Sequence, residues 1–444
     1  MSVSKNHIVV TEFDCIYKSD QVQDDSLVSI HQDDFNSLIA FILDNSDTSD
    51  VAMTYFRKKG KEIIRFNNYV GVIETKSGFT IEVLPKIFHV DNVQEQRNIF
   101  LSMLRYLKDS PFKTISEAHL KTKKFPILEF FITAFLGEID TLFQKRLKRA
   151  YVEKEENLHC VKGRIDFPSQ IAYNTVHKEK FFVHYDEFSL DIPQNRLLKN
   201  TFHYLLSRSR LYKNKVHLHQ YLQIWDSIPF SKNVESDFQQ LNGHSRLYSH
   251  YEKPLQWARV FLKGESFTNF KGKSLNTALL FPMERIFEDY VAAKFKKYLP
   301  SEEITIRTQD KRNHLINDHK GKAKFQLRPD IVIEKDGIPI AILDTKWKAV
   351  NENLEKDNYW ISSSDMYQLF AYGKKYPNNP KLFLIYPASA TFTKDLEPFI
   401  YNENELALVA KPFYLGRDRD MIKEFVRSIF SEIMVYNASN FYTS

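Results

Sequence analysis

The sequence predicts an α/β C-terminal domain, a mixed central sheet flanked by helices, preceded by a β-rich N-terminal region and a helical middle region. Three observations carry this. Alternating apolar runs concentrate in the first hundred or so residues. Apolar residues at helical spacing dominate between roughly Asn98 and Lys263. From about Leu275 the texture changes to helix, strand, strand, helix, strand. The expected divisions are 1–115, 116–264 and 265–444. At 444 residues the chain exceeds the size at which a single core stops growing, so more than one domain is expected.

Taken in order, "EIIRFNNYVGVIET" and "FTIEVLPKIF" alternate on either side of Lys76-Ser77-Gly78, which reads as a hairpin. Helices follow at "QRNIFLSMLRYLK", at the apolar run from Phe125, at "IPQNRLLKNTFHYLLSRSRLYK" with Pro193 near its start, and at "VHLHQYLQIWDS". Between them "LHCVKGRIDFPSQI" reads as a short β element. "LNTALLFPMERIFEDYVAAKFKKYL" repeats apolar residues at helical spacing through Ile286, Phe287, Tyr290, Val291 and Phe295. Two strands, the helix "SDMYQLFAYGKKY" and the strand "KLFLIYP" complete the C-terminal domain. No internal repeat is present.

Composition narrows the function classes. A hydrophobic share of 43% with 27% charged residues is that of a folded globular chain, and no low-complexity tract argues for long disorder. The net charge of +6 fits a polyanion partner without identifying one. The basic clusters Lys121–Lys124 and Gln144–Arg149 are either solvated helix ends or contacts to such a partner. Two cysteines, Cys15 and Cys160, stand far apart outside any metal-ligand spacing, which excludes structural zinc and a disulfide scaffold and fits a reducing cytoplasm. The start lacks the apolar core of a signal peptide, and no uncharged run of about 18 residues offers a membrane span.

The chemistry concentrates in "LRPDIVIEKDGIPIAILDTKWK", Leu327 to Lys348. Strand side chains alternate faces, so Asp344 and Lys346 share one face while Leu343, Thr345 and Trp347 take the other. Whether Asp330 joins them depends on the turn. A two-residue Asp336-Gly337 turn pairs Asp330 with Leu343 and sets the two carboxylates on opposite faces. A three-residue loop, Lys335-Asp336-Gly337 with Gly337 left-handed, pairs Asp330 with Ile342 and brings Asp330, Asp344 and Lys346 together. The expected turn is that loop or an equivalent bulge. Carboxylates at the ends of adjacent strands supply oxygen ligands to a hard cation such as Mg²⁺. Lys346 would orient or deprotonate an attacking water, or stabilise charge building on a phosphate. The constellation is that of a hydrolytic phosphodiesterase. Trp347 and Tyr367 are expected in the core, and Lys348 either reaches a DNA phosphate or ends a solvated strand.

Pro329-Asp330 followed by Asp344-Thr345-Lys346 resembles the PD-(D/E)xK nuclease core. That resemblance implies a Glu from the preceding helix completing the metal site. Glu288 is the candidate and Glu284, one turn earlier, the alternative; only the family pattern favours Glu288. It also implies a following helix with Gln-x-x-x-Tyr, matched by Gln368 and Tyr372 on one helix face. The metal set is then Asp330, Asp344 and Glu288, with Lys346 and Gln368 completing the catalytic set. Over residues 60 to 390 the chain resembles the McrC family, nuclease subunits of McrBC modification-dependent restriction systems. The matching segments are "TIEVLPKIF", "VKGRIDF" (Lys162, Gly163, Arg164, Asp166), "YDEFSLDIPQNRLLK" (Asp186, Glu187, Asp191, Asn195, Arg196, Lys199) and "FPMERIFEDYV".

The resemblance implies an Mg²⁺-dependent DNA endonuclease subunit acting on methylcytosine-containing double-stranded DNA. Its partner would be a McrB-like AAA+ GTPase ring, whose GTP hydrolysis it stimulates through its N-terminal region. GTP would be used by the partner: Gly272 to Ser274 lacks the earlier glycine of a phosphate-binding loop, because Phe267 stands there. Two other readings remain: a stand-alone nuclease and a non-catalytic regulator of the ring. Asp186, Asp191, Asn195 and Arg196 either close a helix start as a hydrogen-bonded network or touch partner or DNA. Arg164 either contacts the ring or caps a turn. The first fifty residues and the C-terminal tail match no segment of the family.

Overall fold

The computed structural model describes residues 3–4, 6–19, 28–47, 51–87, 90, 92–108, 110–114, 125–241, 246–263, 274–299, 303–401, 406–416 and 419–441. The Lys121–Lys124 cluster and the Gly272–Lys273 pair fall outside them. The chain forms two compact units: Met1–Lys124 together with Phe267–Ser444, and Phe125–Ser266.

The first unit begins with two sheets. One orders its strands Val3–Ser4, His7–Thr11, Thr80–Leu84, Tyr69–Glu74 and Thr277–Pro282; the other orders Ser29–Ile30, Cys15–Lys18, Lys61–Phe66 and Met53–Lys58. The expected hairpin around Lys76-Ser77-Gly78 is present, with Glu74 opposite Thr80. Residues from both sheets and from the helix Gln32–Asp44, among them Ile8, Phe35, Leu38, Ile64 and Ile81, share one apolar core.

Thr277–Pro282 corrects the sequence reading, which placed these residues in a helix. They form an edge strand antiparallel to Tyr69–Glu74, and the helix starts only at Met283. Pro282 stands at the helix N-cap, where a residue without an N–H does least harm, and the apolar run before it fits a strand as well as a helix. The pairing is tight at Gly71, whose φ is +142° and where a Cβ would lie 2.0 Å from the Leu279 carbonyl oxygen.

The remainder of the unit is built on a six-stranded sheet ordered Ile304–Thr308, Ile331–Lys335, Ile338–Thr345, Lys381–Pro387, Ala407–Phe413 and Phe399–Ile400. Ile338–Thr345, Lys381–Pro387 and Ala407–Phe413 run parallel and the outer pairs antiparallel, so the sheet is mixed. One face packs Val332, Ile342, Leu382 and Leu384 against Leu369 and Tyr372 of the helix Ser363–Lys375. Ser362 caps that helix by accepting the Ser364 N–H. The helices Met283–Tyr298 and Arg419–Phe441 meet the sheet through Phe287, Phe413 and Phe425, whose rings stand edge to face.

The turn of the central hairpin also differs in detail. Asp336 and Gly337 both have positive φ and form a two-residue turn, with Lys335 opposite Ile338, rather than the three-residue loop. Parity is restored one step further on. Glu334 pairs with Pro339 but Ile333 pairs with Ala341, so Ile340 is an extra residue in a bulge. Ile331 then lies opposite Leu343, and continuing the register sets Asp330 opposite Asp344. This is the bulge alternative.

The second unit is less purely helical than the sequence suggested. Its helices Ile127–Gln144, Pro193–Leu206, Tyr212–Ile224 and Glu252–Lys263 bury Phe131, Phe135, Phe202, Trp225 and Trp257. Beside them stands a three-stranded sheet of Arg164–Ile165, Phe181–Ser189 and Ala150–Leu158. The outer strand "AYVEKEENL" was missed because charge fills its alternation, leaving no apolar face to read. The Gln144–Arg149 cluster is the solvated end of a helix and the segment after it.

Gly71→Ala is expected to destabilise the first unit by about 3 kcal/mol, from overpacking plus left-handed strain. Gly60→Ala, where φ is +77° and nothing lies within 4 Å of a Cβ, should do much less. Thermal or urea denaturation of the two variants compares them; equal effects would refute the close strand approach.

Candidate functional site

Asp330 precedes the strand Ile331–Lys335, and Asp344 lies near the carboxyl end of Ile338–Thr345, the end where open parallel sheets place their sites. Both are buried. Asp330 Oδ2 accepts the Thr345 backbone N–H at 2.7 Å and its hydroxyl at 2.8 Å. The Lys346 ammonium forms an ion pair with Asp344 and donates to Gln368 Oε1 at 3.1 Å. Gln368 Nε2 in turn donates to the Tyr372 hydroxyl at 2.6 Å. Asp344, Lys346 and Gln368 are thereby linked directly, and Asp330 is held by Thr345, the residue between Asp344 and Lys346.

Glu288, the fifth expected site residue, is reached through a residue the sequence reading did not include. Gln309 Nε2 donates to Glu288 Oε1 at 2.7 Å and to Asp330 Oδ1 at 3.1 Å. Glu284 instead hydrogen-bonds the Asn68 side chain and lies in electrostatic range of Lys346 and Lys348. Of the two candidates, Glu288 is the one beside Asp330. Lys108 is a further neighbour that spacing could not reveal. Its ammonium pairs with Asp289 at 3.0 Å, its backbone N–H donates to the same carboxylate at 3.1 Å, and its charge reaches both Glu288 and Asp330.

The electrostatics are those of crowded, dehydrated acids. Burial first, and then the Asp330 charge, pushes Glu288 up to about 8. The same two causes raise Asp344 to about 7 against the pull of Lys346. Burial raises Asp330 too, opposed by its hydrogen bonds from Thr345. For Lys346, burial acts downward, but Asp344 and Asp330 outweigh it and the net shift is upward. Among the described residues, no three His, Cys, Asp or Glu side chains stand close enough to hold a metal ion as arranged. The Gln309 amide and the Lys346 ammonium sit against the carboxylates.

Other expectations divide. Trp347 is buried as expected, and its indole N–H donates to Glu12 at 2.8 and 3.0 Å. Tyr367 is 73% exposed, not core: Gln368, Leu369 and Tyr372 take the inward face of that helix and turn Tyr367 outward. Lys348 is exposed just beyond the end of the strand Ile338–Thr345, where it pairs with buried Asp365 at 2.9 Å. In the second unit Arg196 bridges Asp191 and Asp237, each at 2.8 Å. Buried Asn195 donates to the Leu190 carbonyl and accepts from the Tyr251 hydroxyl, as a network closing a helix start should. Asp186 is exposed on its strand, apart from that network.

A family model described as McrBC 5-methylcytosine restriction system component matches residues 64–387. The chain belongs to that family. Among solved structures it is similar to a chain of a refined half-complex from a tetradecameric assembly of Thermococcus gammatolerans McrB AAA+ hexamers with bound McrC. The identity is 20% and the TM-score 0.68, covering 96% of this chain and 99% of that one. A second match, to a chain of the Thermococcus gammatolerans McrBC complex, has 19% identity and TM-score 0.48 over 66% of this chain and 88% of that one. No curated protein sequence matches. The first likeness supports the McrC-like mixed α/β fold for this McrBC component. Among the described residues no helix is long and apolar enough to cross a membrane.

Glu12, wholly buried between Trp347 and the Lys86 N–H, is pushed up to about 8 by burial. Its folded form therefore keeps a proton that the unfolded chain releases near 4.5, so stability is full at acid pH and falls as pH rises toward 8. The melting temperature of Glu12→Gln should decline less between pH 5 and 8 than that of wild type. Parallel declines would remove the assignment.

Proposed function

We propose that this McrBC component is the DNA-cleaving subunit, a PD-(D/E)xK endonuclease that requires Mg²⁺ and works with a McrB-like AAA+ GTPase ring on methylcytosine-containing DNA. The observation that carries the reading is the Asp344–Lys346–Gln368 chain beside Asp330, which Thr345 holds from the same strand end and Gln309 ties to Glu288. All the acidic donors are carboxylates, the ligand type a hard divalent cation takes, and burial followed by the charge of Asp330 raises Glu288 and Asp344, a cost that a bound cation would relieve. Asp330, Asp344 and Glu288 would hold Mg²⁺. Once bound, the ion supplies Lewis-acid polarisation of the scissile phosphate.

The chain's own groups do the rest. The ammonium of Lys346, held between Asp344 and Gln368, is placed to counter the negative charge that develops on a phosphate. Tyr372 fixes the amide orientation of Gln368 so that its oxygen faces Lys346. Thr345 holds Asp330 by two hydrogen bonds, fixing that carboxylate against the neighbouring strand.

The ring partner enters from the solved likeness, whose structure contains McrB AAA+ hexamers with bound McrC. The resemblance alone would give ring binding to residues 1–115. The second unit offers a better surface: Phe167, Ile171, Tyr173 and Val176, on and just after the helix Phe167–Asn174, are all more than half exposed. We assign this patch to the ring.

Asp344→Ala and Lys346→Ala should each lower cleavage of methylated DNA by about 10²-fold or more while leaving stimulation of the partner's GTP hydrolysis intact. Unchanged cleavage would leave only a regulatory role, and vigorous cutting without the partner would favour a stand-alone nuclease. Phe167→Ala with Ile171→Ala should weaken co-purification with the ring about tenfold or more and leave the melting temperature unchanged. Full retention of the complex would return ring binding to the N-terminal region.

A further inference from the structure

Gln309 ends the strand Ile304–Thr308 in a conformation its side chain does not favour. Its φ is +52°, in the left-handed region that costs a non-glycine residue about 1 kcal/mol or more. The surrounding backbone fixes it there: its N–H donates to the Asp330 carbonyl at 3.0 Å, and the next N–H, of Asp310, donates to the Pro329 carbonyl at 3.3 Å. Asp310 is anchored in turn by Arg312 at 2.8 Å and by the Tyr376 hydroxyl at 2.9 Å. The strained residue is therefore held in place from both sides.

The side chain so positioned spends both amide protons on carboxylates from two different elements, Glu288 on a helix and Asp330 at a strand start. Glu288 and Asp330 repel each other when both are ionised, and a neutral amide relieves that only in part. An amide also has a second face: turned over about its last bond, it exchanges two donors for a carbonyl oxygen of the kind hard cations accept. We propose that Gln309 is a member of the cation-binding set, its amide closing the Glu288–Asp330 pair when no ion is bound and its oxygen facing the ion when one is. This rests on the metal-dependent reading of the site given above. It gives a reason for a glutamine to stand at a position whose backbone suits glycine.

The test is binding of Mn²⁺ to the full-length chain, followed by electron paramagnetic resonance, which needs no DNA, no partner and no turnover. Gln309→Gly removes the amide while easing the backbone, and so is the variant least apt to unfold the chain. It should bind Mn²⁺ about tenfold or more weakly than wild type. Gln309→Glu, which keeps an oxygen at the same reach, should restore binding to the wild-type level or tighter. If Gln309→Gly binds as well as wild type, or better, the amide only fills an empty pair and the proposal falls alone. If wild type binds no Mn²⁺ and Asp330→Asn makes no difference, the metal-dependent reading falls and takes the proposal with it.

Discussion

Everything at the candidate site depends on one extra residue in a strand. Side chains on a β-strand change face with every step, so a hairpin with an even turn and no irregularity would send Asp330 and Asp344 to opposite sides of the sheet. Ile340, bulged between the Glu334–Pro339 and Ile333–Ala341 pairs, shifts the count by one and sets the two carboxylates face to face. Once they are opposed, Lys346 follows by alternation. The helix Ser363–Lys375, already packed on that face through Leu369 and Tyr372, brings Gln368 within hydrogen-bond distance. A bulge is a small local irregularity, yet here it fixes which chemical groups meet.

The site is braced from the N-terminal part of the chain. Glu12, just past the strand His7–Thr11, takes the indole N–H of Trp347, the residue directly after Lys346. Lys108 is held by Asp289, the neighbour of Glu288 on the helix Met283–Tyr298. The first hundred residues and the last hundred and seventy are therefore one physical object, joined by buried polar contacts as well as by the shared sheet. Met1–Lys124 and Phe267–Ser444 make up one unit although Phe125–Ser266 stands between them in the chain.

How much could be read beforehand follows from what kind of signal each feature leaves. Asp344, Lys346, Gln368 and Tyr372 were legible because strand alternation and helical i, i+4 spacing fix their relative positions locally. The turn was legible only as a parity condition, since a bulge has no residue signature of its own, and Ile340 looks like any apolar strand residue. Gln309 and Lys108 left no signal because they reach the site across chain separations that no spacing encodes. Tyr367 was misjudged because an aromatic beside a catalytic-looking segment invites burial, whereas the inward face of its helix was already taken. Thr277–Pro282 was misjudged for a related reason. A short apolar run ending in proline before a helix suits either state, and its partner strand lies some two hundred residues earlier.

That last pairing sets an order on how the molecule is made. The N-terminal sheet lacks its edge until Thr277–Pro282 arrives to pair with Tyr69–Glu74. Between the two, the chain must first emit the whole of Phe125–Ser266, a contiguous unit with its own aromatic core. During synthesis from the N-terminus, the inserted unit has everything it needs before its host does. The nascent chain therefore carries an unfinished sheet edge while the inserted unit is already whole, and the carboxylates of Glu288, Asp330 and Asp344 emerge only after both.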